Sequence, residues 1–317
     1  MQPACEKGRL MDHKAFVSQM DREQLARLKE TEDHHGLWHL TGHIGLIFLG
    51  GLWILKGWPL WQAVLVIQGI FISFLFTLEH EATHKTPFKT SWLNEWVGAA
   101  AGFLILQPFI WFRYFHLAHH RYTNIPGKDP ELVTGYKPET RKDFYWYLTG
   151  IPYWIGMARQ IRRNAEGKRF RDYIPENART KVVREGRVLI ALYALVLASL
   201  FVTDVLFWIW LLPTVLGMPL LRLYLLAEHG RCAFVANMFE NTRTTYTTRA
   251  VRFIAWNMPY HVEHHTIPSV PFHKLPELHG ALQGHHKVTS DGYVDFAAEF
   301  LRETTRETTR ETNRETR

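Results

Sequence analysis

The sequence predicts an all-α integral membrane protein: four transmembrane helices, additional interfacial helices, and a cytoplasmic helical cap that holds a histidine-rich site. Two observations carry this. Apolar residues are gathered into long runs separated by very polar segments, so the mildly negative mean hydropathy of −0.16 conceals a membrane protein. Histidines are gathered too, since nine of the 18 stand in three short clusters and one further position.

Taken in order, residues 1–36 are charged and lack an apolar h-region, so no cleavable signal peptide is expected and this segment is predicted to stay in the cytoplasm. Leu37–Leu55 and Pro59–Leu78 are nearly charge-free and approach the roughly 20 residues needed to span a bilayer core. Trp92–Phe112 is also apolar. Its small residues Gly98, Ala99, Ala100, Ala101 and Gly102, followed by Pro108, predict an interfacial or re-entrant segment instead of a simple crossing. Leu189–Phe207 and Trp208–Ala227 form the second pair of spans, interrupted by Asp204 and Arg222. Trp53, Trp58, Trp61, Trp92, Trp96, Trp111, Trp208 and Trp210 flank these runs, where indoles favour the interface.

The chain thus divides into an N-terminal segment (1–36), a membrane domain (37–282) and a C-terminal segment (283–317) that ends in a charged Arg-Glu-Thr-Thr repeat. That repeat has no apolar residue with which to bury a core, and a solvated tail or frayed helix is expected. The net charge is +7, with basic residues crowded into Arg113–Arg187, including Arg159, Arg162, Arg163, Lys168, Arg169 and Arg171. This cluster lies between membrane segments, which fits a cytoplasmic loop near anionic headgroups better than a nucleic-acid partner. Cys5 and Cys232 are too few for a disulfide framework or a cysteine metal site.

The histidine clusters are His80-Glu81-Ala82-Thr83-His84, His116-Leu117-Ala118-His119-His120 and His261-Val262-Glu263-His264-His265, with His229 upstream of the last. Helical positions i, i+3 and i+4 share one face, so each cluster aims its imidazoles together. Thr86-Pro87, Asn124-Ile125-Pro126-Gly127 and Pro268 end the three local helices, and Asn257 and Pro259 mark the start of the third. Counting crossings from a cytoplasmic amino terminus puts all nine on one membrane face, provided that 92–112 does not cross. Nine imidazoles exceed the four ligands of one tetrahedral zinc. Shared between two metal ions, they supply four or five nitrogens each, which suits redox iron with open positions.

These motifs, in this order and spacing from about Leu75 to Leu282, resemble the membrane-bound fatty acid desaturase superfamily of acyl desaturases, lipid hydroxylases, alkane hydroxylases and carotenoid-modifying oxygenases. Pro268, Pro271 and Leu275-Pro276 resemble the segment that follows its third box. The resemblance implies a non-haem di-iron centre held by His80, His84, His116, His119, His120, His261, His264 and His265. His229 matches an additional histidine of some members. Where animal-type acyl desaturases carry an asparagine one turn earlier, this chain has Leu225. The short first box is more like that of hydroxylating members. The implied reaction is O2-dependent oxidation of an unactivated C–H bond in a lipid, acyl or hydrocarbon substrate, giving an alkene or an alcohol. Glu81, Asp129, Glu228 and Glu263 are candidates to orient the imidazoles.

Electrons must then come from a separate ferredoxin-, rubredoxin- or cytochrome-type donor with its reductase, because the chain has no cysteine set, GxGxxG fingerprint or fused haem domain. The basic loop offers an acidic donor a docking surface, or simply marks the inside face. Two other readings stay open. His80-Glu81-x-x-His84 fits HExxH, which would make the chain a membrane zinc metalloprotease with Glu81 as general base, leaving six or seven clustered histidines unused. A non-enzymatic metal- or lipid-binding membrane protein is the second. Arg243 is either a contact for a headgroup or donor or part of a plain polar loop. His34, His35, His39 and His43 read as interfacial, and His279, His285 and His286 remain unassigned.

Overall fold

The computed structural model describes residues 12–135 and 137–315, with side chains through residue 304. Met1–Met11, including Cys5, as well as Tyr136, Thr316 and Arg317, lie outside the described residues. Helices α1 (His13–Gln19) and α2 (Arg22–Lys29) lead into α3 (Asp33–Leu55), α4 (Trp61–Ser73) and α5 (Leu75–His84). A bent pair follows, α6 (Ser91–Leu104) and α7 (Phe109–Tyr122), and then α8 (Pro130–Thr134), α9 (Arg141–Leu148), α10 (Ile151–Glu166) and α11 (Glu176–Ser199). A π-helical turn, Phe207–Leu211, opens α12 (Leu212–His229). The remainder comprises α13 (Met238–Asn241), α14 (Arg249–Ile254), α15 (His261–Thr266), α16 (Leu275–Ala281) and α17 (Tyr293–Glu315), the last carrying the repeat as helix. Two short strands, β1 (Thr244–Thr245) and β2 (Thr289–Ser290), pair in parallel.

Among the described residues, three continuous stretches are long and apolar enough to cross a membrane: Asp33–Leu55, Trp61–His84 and Phe207–His229. The second is 24 residues long, which is about 36 Å of helix. The predicted span Leu189–Phe207 is redrawn. Helix α11 begins at Glu176, carries Arg184, Glu185 and Arg187 at mid-length, and stops at Ser199, before the chain turns into Phe207–His229. Its second half still faces outward with Val188, Ile190, Leu192, Leu195 and Leu197 exposed, a surface suited to lipid and costly in water. The stretch 92–112 forms no straight crossing either, because α6 and α7 meet at 100°. Leu106 adopts a left-handed conformation in the bend and Pro108 caps α7.

Aromatic residues collect at one end of these helices and histidines at the other. Trp53 packs edge-on against Trp58 and Trp61 against Trp208, at the α3–α4 turn and the start of the last span. Box one closes α5 and His229 closes α12. What brings those ends together is the crossing of α4 and α12. A Cβ added to Gly69 would lie 1.9 Å from the Pro213 carbonyl oxygen, and one added to Gly217 would lie 2.0 Å from the Gly69 carbonyl carbon, so backbone meets backbone. Gln68, beside this crossing, donates to the Ile47 and Ile209 carbonyls at 3.0 and 3.1 Å and joins α3 to the π turn.

His43 is no interfacial residue. It is fully buried, its Nε2 donates to the Phe71 carbonyl at 2.8 Å, and its Nδ1 accepts from Trp256 at 3.1 Å, which ties the first span to the loop before box three. His39 likewise contacts the Phe253 carbonyl, whereas His34 and His35 stay exposed beside Glu32. The amino-terminal helices close over the cap, where Phe16 packs on Phe239 and His285.

Gly69→Ala should overpack the α4–α12 crossing and cost about 1–3 kcal/mol or more. Gly45→Ala, with nothing within 4 Å of the added Cβ, should be neutral or stabilising by about 0.5–1 kcal/mol. Thermal unfolding in detergent micelles, followed by size-exclusion chromatography, compares the two.

Candidate metal centre

The nine histidines converge. His80, His84, His116, His120 and His264 form one group, and His119, His229 and His265 form a second. His261 adjoins the second, with its Nε2 3.1 Å from that of His229. Helix α7 feeds both groups because His116 and His120, four residues apart, face one way and His119 another. Helix α15 does the same with His264 on one side and His261 and His265 on the other.

The Nε2 atoms point inward. His116 Nε2 lies 2.9 Å from those of His84 and His120, His264 Nε2 lies 3.2 Å from that of His120, and His119 Nε2 lies 3.2 Å from that of His229. Several Nδ1 atoms point outward to acceptors. His119 Nδ1 donates to Asp129 at 3.0 Å, and His229 Nδ1 donates to the Asn241 carbonyl at 3.0 Å. His265 Nδ1 lies 3.2 Å from the Thr123 hydroxyl. A neutral imidazole that gives its one proton at Nδ1 keeps a lone pair at Nε2. With both rings neutral, the Nε2 atoms of His119 and His229 present lone pair to lone pair at 3.2 Å. A cation between them turns that repulsion into attraction. The donor set consequently fits a metal, and it fits imidazole-loving transition metals.

Burial lowers His119 too, but Glu131 and Asp129 outweigh it and raise that ring, so a bound cation is what would hold it neutral; the rings of box three shift the other way. For His261, His264 and His265, burial first and neighbouring imidazoles second hold the ring well below its ordinary value of 6.5, which keeps the rings neutral and ready to ligate.

The four carboxylates differ. Asp129 is buried, accepts from His119, and is itself held by the amides of Asn124 and Glu131 at 2.8 and 2.9 Å. Glu228 lies 3.3 Å from His261 Nδ1. Glu81 Oε2 accepts from Thr86 and the Phe272 amide, while its other oxygen is 3.5 Å from His264 Nδ1. Glu263 reaches none of the nine imidazoles among the described contacts. Its partners are His279, His286 and Thr244. Burial raises that carboxyl, but the hydrogen bonds from the two imidazoles and Thr244 outweigh it and bring it down to about 2.

Sequence reasoning missed Thr123, Asn241 and Glu131, the last 3.9 Å from His119 Nδ1 and paired with Lys137 at 3.2 Å. Asn241 contributes through its backbone carbonyl, for which a sequence carries no sign. Arg243 turns inward and donates to the Ala227 and Gly230 carbonyls that end α12. Leu225 packs into the apolar core.

The model of the family described as fatty acid desaturase matches residues 56–291. The chain belongs to the fatty acid desaturase family. Among its relatives, the sphingolipid delta(4)-desaturase/C4-monooxygenase DES2 of Mus musculus is 28% identical over 80% of this chain and 78% of its own length. The sphingolipid delta(4)-desaturase DES1 of the same organism is 26% identical over 86% of this chain and 81% of its own length. The sn-1 oleoyl-lipid 12-desaturase of Arthrospira platensis is 27% identical over 39% of this chain and 38% of its own length. In this desaturase family member the HExxH-like first box is one part of a nine-imidazole set, and neither a protease nor a non-enzymatic reading gains support.

Removing the Asp129 acceptor by Asp129→Ala should lower metal affinity by about 10–100-fold, measured by competition with a chelator. These three rings should contribute their full stability to the metal-free chain above pH 6.5, and that contribution should be lost as pH falls below it. The unfolded histidines then take up protons that the buried ones refuse. Denaturant unfolding between pH 8 and pH 5 reads the slope.

Proposed function

We propose that this chain is an O2-dependent membrane oxidoreductase that holds two iron ions in its two imidazole groups and oxidises an unactivated C–H bond of a lipid or acyl substrate. The observation that carries this reading is the convergence of the Nε2 atoms in two groups, with the Nδ1 atoms of His119 and His229 held outward by Asp129 and the Asn241 carbonyl. In the first group His80, His84, His116, His120 and His264 would be the ligands; in the second, His119, His229, His265 and the adjoining His261. When bound, the iron pair supplies the oxidising power, consuming O2 with two electrons and two protons to give either an alkene and two waters or an alcohol and one.

The protein's own part is to prepare the site. Bound as neutral ligands, the nine imidazoles would leave the metal charge uncompensated and coordination positions free. Asp129, Glu228 and Glu81 are placed to orient His119, His261 and His264 from behind. Seven of the nine imidazoles, all but the half-buried His84 and His120, are buried, which limits bulk water and protects an oxidising site from side reactions. Boxes one and two and His229 sit at the ends of apolar helices, where an acyl chain can enter from lipid. The mouse relative DES2 is both a desaturase and a C4-monooxygenase by name, and the same site geometry supports either outcome. Which one prevails depends on substrate placement within about an ångström.

Electrons would arrive from a separate acidic ferredoxin-, rubredoxin- or cytochrome-type protein served by its reductase. Arg159, Arg162, Arg163, Lys168, Arg169 and Arg171 are exposed on α10 and the connection to α11. That connection and α11 pack through Ile174, Ala178 and Val182 onto Trp111 and Phe112 of α7, the helix of box two. The same basic surface supports a cytoplasmic position for the histidine end.

Expression in a heterologous host with a matched donor, followed by mass spectrometry of its lipids, tests the reaction. A product lacking two hydrogens or gaining one oxygen is expected with the unaltered chain and is expected to vanish with His119→Ala. The proposal fails if the folded chain with an active donor changes no lipid.

A further inference from the structure

Glu263 stands in the middle of box three yet turns its back on the imidazoles. With roughly 100° between successive helical residues, position 263 lies nearly opposite the mean direction of 261, 264 and 265. Its carboxylate is fully buried. Oε1 accepts from His279 Nδ1 on α16 and from His286 Nε2 at 2.7 Å, and Oε2 accepts from the Thr244 hydroxyl of β1 at 2.7 Å. Three separate chain segments therefore hold one side chain. His279 is further packed on Tyr260, the residue that precedes α15.

This cluster differs in kind from the metal centre. There the nitrogens face a common point. Here two nitrogens meet at one carboxylate oxygen at hydrogen-bond separation, and a hydroxyl meets the other oxygen. Both imidazoles act as donors, and their acceptor is the carboxylate.

Helix α15 needs such an anchor. It has six residues and no side-chain cap at its start, too few to hold a helix by its own hydrogen bonds. Its histidines serve both imidazole groups, so a small rotation about its axis misaims both at once.

We propose that Glu263 is a positioning residue, clamped by His279, His286 and Thr244 to fix the rotation of α15 and so the aim of His261, His264 and His265. The proposal rests on the reading of the two imidazole groups as a metal centre. The full chain is purified, loaded with iron, and compared with E263A, H286A, H279A/H286A and the double variant H279N/H286Q. Asn and Gln place an amide N–H where His279 Nδ1 and His286 Nε2 stand, so they keep the donors without an imidazole. In H286A and H279A/H286A the Mössbauer spectrum should change and iron affinity or kcat should fall, by about 10–100-fold for the double variant, with KM moving less than about twofold. E263A should behave like the double alanine variant, and H279N/H286Q should restore both spectrum and kcat. If the severe variants fail to fold, H286A and H279N/H286Q decide by the same criteria.

An unchanged spectrum and kcat in folded H286A and H279A/H286A would overturn the proposal. So would loss of a third metal ion per chain in H279N/H286Q, which would make the cluster a metal site. Wild-type protein that takes up no iron would overturn the reading of the centre itself, a result distinct from iron-loaded wild type with unmoved variants.

Discussion

Nitrogen lone pairs forced to face one another are the constraint on which the structure turns. Asp129 and the Asn241 carbonyl each take the Nδ1 proton of one imidazole, so the neutral forms of His119 and His229 have opposed Nε2 lone pairs at 3.2 Å. Without a cation this arrangement is unfavourable, and the surrounding fold must hold it together. That explains why the histidines are backed by fully buried side chains and backbone groups instead of by solvent, and why the ends of three apolar helices are brought to one place.

The membrane helices supply that restraint. The glycine-on-glycine crossing of α4 and α12 sets the spacing between box one and His229, and the bend between α6 and α7 returns the chain so that box two enters from the same end. His43 and Trp256 connect the first span to box three, so the short helix α15 is braced from two sides, by this pair at its entry and by Glu263 behind it. Local strain is placed accordingly. Trp256 and Asn257 both adopt left-handed backbone conformations in the turn that redirects the chain into α15.

Much of this was legible in the sequence because it is written in local periodicity. The i, i+3, i+4 spacing of the histidines, the uncharged runs and the proline stops predict helices, their faces and their convergence. Asp129 was legible as a carboxylate soon after box two. The tertiary partners were not. Nothing in the sequence joins Glu263 to His279 and His286, or His43 to Trp256, since those contacts depend on where distant segments return. The third predicted span shows the other limit: Leu189–Phe207 is apolar throughout its first half, but the helix that covers that half starts in charged residues at Glu176 and breaks after Ser199. Hydropathy finds the apolar surface and misses where the backbone turns.

The family match makes lipid oxidation the natural context, and the geometry says what this chain contributes to it: neutral, preoriented nitrogens in a buried site at the ends of apolar helices. The most direct test of that account is the metal content of the purified chain, measured by elemental analysis with X-ray absorption at the iron edge. The account predicts two irons per chain in a nitrogen-rich shell, with loss of metal when both His119 and His229 are replaced by alanine. One zinc per chain without iron, or full iron retention in the folded double variant, would contradict it.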